Sequence, residues 1–287
     1  RNMAKGLSEL GVAAGDSIVI ASENRPEWVI ADLAIMTLGA ISVPAYTTNT
    51  VRDHRHILSD CGAKGAIVST RALAARLLPA AAEVAATEFI ITMEATEAGA
   101  FDIALYEWSA VMATGETSTH DLEPALQAQA RGDTACLIYT SGTGGNPKGV
   151  MLSHAAVMSN CMGARELLRQ LGLGDEVFLS FLPLSHAYEH TAGLYFPISI
   201  KAQIYYAESV ETLSANLVEV RPTIMVSVPR LYEVMHRRIT LGLKRQSKIK
   251  QHLFAKAVAL GRKHYENPGS LGLVQGALNR VLEGVVR

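Results

Sequence analysis

SIVIASENRPEWVIADLAIMTLGAISVP, residues 17–44, changes periodicity twice within one short run. Ser17 to Ala21 is a β-branched block and reads as a strand. Asn24 is placed to cap a helix with Pro26 in its first turn, and the helix runs to Leu38 and stops at Gly39. Ile41 to Pro44 is the next strand. A strand, a helix and a second strand in such close succession make a βαβ unit, so the two strands are expected to lie parallel.

The alternation continues downstream. Arg52 to Cys61 reads as a short helix with Ile57, Leu58 and Cys61 on its apolar side and Gly62 as its stop, leading into a strand at Gly65 to Ser69. An Ala-rich helical stretch over Leu73 to Ala86, broken or kinked at Pro79, precedes a strand at Phe89 to Met93. Residues 114–133, TGETSTHDLEPALQAQARGD, form an acidic, polar connector and the expected internal boundary between subdomains 1–113 and 134–287.

Beyond it the expected elements are a strand at Thr134 to Tyr139, a loop at Thr140 to Gly149, a helix at His154 to Leu171 and a strand at Val177 to Leu182. A helix at Thr191 to Ile200, a strand at Gln203 to Tyr206, a helix at Glu211 to Val220 and a strand at Ile224 to Val228 follow. Helices run from Arg230 to the end with a break near Asn267-Pro268-Gly269. The pattern is α/β and doubly wound, with mainly parallel sheets flanked by helices.

The bulk properties narrow the function classes. With 287 residues, 49% hydrophobic and only 18% charged, the chain can bury a large core, which excludes a disordered tail. Lys and Arg number 26 against 27 Asp and Glu, so no basic surplus points to nucleic acid or an anionic membrane. Any anion must be gripped locally. Cys61, Cys136 and Cys161 are too few and scattered for a disulfide framework, and reduced, cytoplasmic thiols are the expectation. The apolar stretch from Val29 to Tyr46 is interrupted by Asp32, Gly39 and Pro44, so it reads as a buried helix and strand rather than a membrane span. Peripheral membrane association and oligomeric state are left open. Both Arg1 and Val286-Arg287 fall inside helical patterns, and the ends read as those of a fragment.

The segment that carries chemistry is YTSGTGGNPKGV, residues 139–150. A phosphate needs backbone N–H groups that can approach closely, hydroxyl donors and a cation. Gly142, Gly144, Gly145, Gly149, three hydroxyl residues and Lys148 fall together directly after a strand. A flexible linker is the bland alternative, but the apolar flanks CLIYT and GVML imply a loop fixed at the end of a sheet. A Walker loop is excluded because Gly149, not Ser or Thr, follows Lys148. The dinucleotide fingerprint is excluded because SENRPEW occupies the first strand-to-helix turn.

This segment closely resembles the phosphate-binding signature of the adenylate-forming enzymes, an aromatic residue followed by TSGTTGxPKG, with Gly144 departing from the usual second threonine. Residues 11–46 and 47–64 are similar to the opening of that family. FLPLSHAYEHTAG, residues 181–193, and RPTIMVSVPRLYEVM, residues 221–235, resemble its long-chain fatty acyl-CoA synthetase branch. The resemblance covers nearly the whole chain and implies part of the large N-terminal domain of such an enzyme.

It also implies a chemistry. A carboxylate attacks the α-phosphate of ATP with Mg²⁺, pyrophosphate leaves, and coenzyme A then displaces AMP from the acyl-adenylate. Carried over residue by residue, Thr140, Ser141, Gly142, Thr143, Gly144 and Gly145 would line the β- and γ-phosphates, with Lys148 supplying positive charge and the Thr143 hydroxyl near the metal. His186 falls in the motif bordering the acyl and adenylate site, so Lys148 and His186 are the catalytic candidates, and Glu189 is a candidate cofactor-binding residue. His154 reads as a helix N-terminal residue, and a zinc site from His154, His186 and His190 lacks carboxylate or thiolate partners. The family's adenine, ribose and hinge motifs and its catalytic C-terminal lysine have no counterpart before Arg287, so this chain alone is not expected to complete the reaction. The alternatives are a ligase for another acid, or a non-catalytic nucleotide-binding or interaction module of the same fold.

Overall fold

A computed structural model describes residues 1–97, 99, 101–140, 146–170 and 172–267. In chain order the first elements are α1 (Asn2–Glu9), β1 (Ser17–Ala21), α2 (Pro26–Thr37), β2 (Ile41–Ala45), α3 (Val51–Asp60), β3 (Gly65–Val68), α4 (Arg71–Ala82) and β4 (Phe89–Thr92). Then come β5 (Ala104–Glu107), α5 (Trp108–Thr117), α6 (Glu123–Ala128), β6 (Thr134–Thr140), β7 (Lys148–Ser153), α7 (His154–Arg169) and β8 (Val177–Ser180). After α8 (Ala187–Glu189) a π-helical segment, His190–Tyr195, leads into α9 (Phe196–Ser199), β9 (Gln203–Tyr206), α10 (Leu213–Val220), α11 (Pro229–Lys244) and α12 (Lys248–Glu266).

Seven strands form one sheet in the order β5-β4-β3-β1-β2-β6-β7. Every neighbour pair is parallel except β6 with β7. Residues on both sides of 114–133 contribute to this sheet, and that stretch itself holds the end of α5 and all of α6. β8 and β9 make a separate parallel pair. Contacts divide the chain into two compact units, Arg1–Val226 and Ser227–Arg287. The second contains α11 and α12.

Side chains of β1 alternate between two cores, as strand geometry requires. Ile18 and Ile20 join Met3, Leu7, Trp28 and Ile35 from α1 and α2. Val19 and Ala21 face the opposite way, onto Ile57, Leu58, Leu73 and Leu77 from α3 and α4. Both faces are covered, so the strands read as continuous apolar blocks instead of an alternation.

Three local expectations need correction. Asn24 does not cap α2: Arg25 is the N-cap residue and gives no side-chain cap bond, because the Asn24 amide is engaged elsewhere. Pro79 does not break its helix, which continues to Ala82. Burial of Leu77, Leu78, Ala80 and Ala81 outweighs the one backbone bond a proline forfeits, although the helix ends before Ala86. Ile224 to Val228 is not a strand. Only Ile224 bridges, to Phe178, and Val228 is already the N-cap residue of α11.

Candidate functional site

The antiparallel pairing of β6 with β7 ends on Tyr139 opposite Gly149 and Thr140 opposite Lys148. A β-branched, apolar run on one side and KGVMLS on the other make these strands, and the ladder places Thr140 beside Lys148 where the Gly-rich loop leaves the sheet. Both residues are exposed. Ser141, Gly142, Thr143, Gly144 and Gly145 lie outside the described residues.

Thr140 and Pro147 line a cleft of about 580 Å³ together with Tyr46, Asn49, Asp53 and His186. The cleft opens at the carboxyl ends of β2 and β6, where open α/β sheets collect ligands. The one carboxylate among its described lining residues is occupied. Asp53 closes a capping box at the start of α3, accepting the Thr50 backbone N–H at 2.8 Å and hydroxyl at 2.7 Å, and these bonds hold its carboxyl below the usual range.

His186 sits on the turn between β8 and α8. Its Nδ1 accepts the backbone N–H of Tyr188 at 3.2 Å, so in the neutral ring the proton resides on Nε2, which becomes a donor. The turn is fastened from behind by Asn24. The Asn24 side-chain amide donates to Ser180 Oγ at 3.1 Å and to the Leu182 carbonyl at 2.7 Å, while its oxygen accepts the Leu184 N–H at 3.0 Å.

Glu189 does not line the cleft. It is buried, accepting the Ser180 hydroxyl at 2.7 Å, and burial pushes its carboxyl up to about 7 against the lowering effect of that bond. Gly193 makes room for it: a Cβ there would stand 2.3 Å from Glu189 Oε1. Tyr188 is exposed, whereas His190 is buried with its Nε2 3.1 Å from Asp32 of α2. The Tyr195 hydroxyl donates to the same Asp32 oxygen at 2.8 Å, and burial, then the Asp32 charge, pushes the Tyr195 phenol well above its ordinary value. The residues expected at the site thus divide: Thr140, Lys148 and His186 stand at or beside one opening, and Glu189 is buried against Ser180. His154 is the first residue of α7, with Ser153 as the cap.

Three residues of this architecture escaped the sequence reading. Asn24 has the composition of a cap and acts as a brace. His56 and Asp60 of α3 bond the two limbs of the loop, Asp60 through Tyr139 at 2.7 Å and His56 at the Pro147 carbonyl at 2.8 Å. Their spacing of four on a helix that otherwise buries Ile57 and Leu58 was the available signal.

The model of the AMP-binding enzyme family matches residues 1–277. Long-chain-fatty-acid–CoA ligase FadD15 of Mycobacterium tuberculosis is 31% identical over 286 residues, covering 100% of this chain and 46% of that protein. Long-chain-fatty-acid–CoA ligase ACSBG2 of Xenopus laevis is 30% identical over 268 residues, covering 91% of this chain and 36% of the relative. Among solved structures, the long-chain-fatty-acid-CoA ligase FadD1 of Archaeoglobus fulgidus superposes with a TM-score of 0.65 at 22% identity, over 86% of this chain and 45% of the other, a likeness of fold. The chain spans less than half the length of each of these three.

Proposed function

The chain belongs to the AMP-binding enzyme family, and from that premise we propose that the protein carrying it activates a long-chain fatty acid, first to an acyl-adenylate and then to acyl-CoA. The observation that carries the proposal is the meeting of Thr140, Pro147 and His186 in one cleft, with Lys148 paired to Thr140 at the root of the Gly-rich loop. The names of the relatives support the acid class.

The first half of such a reaction brings a carboxylate toward a triphosphate, and the obstacle is negative charge. In the proposed site Thr140, Ser141, Gly142, Thr143, Gly144 and Gly145 donate to the β- and γ-phosphates, and Lys148 supplies a cation beside them. Gly144 contributes backbone only. His186, with its Nε2–H, donates to an oxygen of the acyl or adenylate moiety, and Glu189 holds the turn through Ser180. The carboxylate oxygen forms its bond to the α-phosphorus as the bond to pyrophosphate breaks. The thiolate of coenzyme A then attacks the acyl carbon, and AMP departs.

Among the described residues no group of three or more His, Cys, Asp or Glu converges, and Asp53 is bonded into its capping box. A Mg²⁺ carried in on the triphosphate would offset phosphate charge, and the Thr143 hydroxyl is its candidate protein contact. Three free cysteines support a reducing, cytoplasmic setting. Among the described residues no helix is long and apolar enough to cross a membrane.

The test is acid-dependent ATP–pyrophosphate exchange by the full-length protein across long-chain, short-chain, aryl and amino acids. Exchange that is strongest with long-chain fatty acids is the expected result. Exchange with amino acids alone, or with none of the panel, would overturn the proposal.

A further inference from the structure

Both limbs of the Gly-rich loop are tied to a single helix. His56 and Asp60 lie four residues apart on α3, so their side chains leave the same face. Asp60 Oδ2 accepts the hydroxyl of Tyr139, the residue before Thr140, at 2.7 Å. His56 Nε2 lies 2.8 Å from the carbonyl oxygen of Pro147, the residue before Lys148. A carbonyl can only accept, so Nε2 is the nitrogen that carries the proton.

The two ties reinforce each other. The His56 and Tyr139 rings meet edge to face, with centroids 6.1 Å apart at 85°. Across the ladder Gly149 faces Tyr139, and a Cβ there would come within 3.1 Å of the ring. A glycine at this position therefore lets the ring lie flat against β7 while its hydroxyl reaches Asp60.

We infer that His56 and Asp60 are positioning residues for the nucleotide grip: they set the spacing of the loop's two roots before ATP arrives. They act through Thr140 and Lys148, each adjacent to a tied residue. Holding both roots removes freedom that ATP would otherwise have to quench on binding, and that difference is read as affinity for the nucleotide. The inference rests on reading residues 139–150 as a polyphosphate loop, but not on which acid is activated.

The experiment compares wild type, His56→Ala, His56→Gln and Tyr139→Phe in the full-length protein. Equilibrium binding of a non-hydrolysable ATP analogue with Mg²⁺ is measured beside the KM for acid and the thermal midpoint. Losing one tie is expected to weaken the analogue by about tenfold, the worth of one net hydrogen bond, with the KM for acid within about twofold. His56→Gln keeps a donor near the Nε2 position and is expected to recover most of the loss. Unchanged analogue affinity in a folded His56→Ala, or no recovery in His56→Gln, overturns the inference. So does a parallel rise of acid KM and analogue Kd. If His56→Ala does not fold, Tyr139→Phe, which removes one oxygen, decides by the same criteria. Wild type that binds the analogue but shows no acid-dependent exchange sinks the proposed ligase and leaves the positioning role to be judged on affinity. Wild type that binds no analogue sinks both.

Discussion

The side-chain amide of Asn24 lies 2.7 Å from the carbonyl oxygen of Leu182, joining the turn before α2 to the turn that carries His186. With its bonds to Ser180 and Leu184, Asn24 satisfies three polar groups of that second turn. Asn24→Ala is expected to destabilise the protein by about 1–3 kcal/mol, because these groups lose their partner. Denaturant unfolding at constant m-value measures it. A change within experimental error would show that the brace is redundant.

Gly193 is expected to accept a methyl group only at a cost in stability. The Cβ of Gly193→Ala would fall 2.3 Å from a buried carboxyl oxygen of Glu189, so either the carboxyl or the π-helical segment must shift, at about 1–3 kcal/mol. Gly193→Ala combined with Glu189→Ala relieves the overlap and is expected to cost less than the sum of the two single changes. Strict additivity in that double-mutant cycle would refute the contact.

Glu189 is expected to make stability fall as the solution becomes more alkaline. Its folded value of about 7 lies above the ordinary 4.5, so between those limits the folded state holds a proton that the unfolded chain has released. Stability from this group is complete below about 4.5 and is lost as pH rises through about 7, by up to about 1.4 kcal/mol per pH unit. Glu189→Gln is expected to flatten that slope, which unfolding curves from pH 5 to 8 would resolve.

His54 acts in the opposite sense. Burial, then the Arg76 charge, lowers its folded value from 6.5 to about 4, and neither ring nitrogen has a hydrogen-bond partner among the described residues. Below 6.5 the unfolded chain binds a proton that the folded state refuses, so stability is lost as pH falls from 6.5 toward 4. His54→Leu replaces the titratable ring with an apolar side chain and is expected to raise the unfolding midpoint at pH 5 more than at pH 8. An equal shift at both values would contradict the assignment.

Lys148→Ala in the full-length protein is expected to lower the adenylation rate by about a hundredfold, since one preorganised charge would be removed from the phosphate grip. Lys148 is exposed at the start of β7, so the fold should survive the change. Unchanged exchange kinetics would remove Lys148 from the site.

Much of the fold was legible because local periodicity and burial agree. β1, α2 and β2 follow the blocks read from residues 17–44, to within a residue or two at each end. The reading failed where one segment could satisfy two demands. Ile224 to Val228 has the composition of a strand, yet it pairs at a single bridge and hands its end to a helix cap. The burial of the Glu189 carboxyl against Ser180 was likewise not readable from its sequence neighbours.

The sequence by itself determined the parallel α/β architecture, through apolar blocks alternating with helical patterns, and the Gly, Ser, Thr and Lys composition of the loop at the end of β6. Only the tertiary structure decided which distant side chains serve that loop and its neighbouring turn. Asn24 meets Leu182 across 158 positions and His56 meets Pro147 across 91. Such partners follow from strand order and helix placement, which bring together residues whose separation along the chain carries no periodic signal.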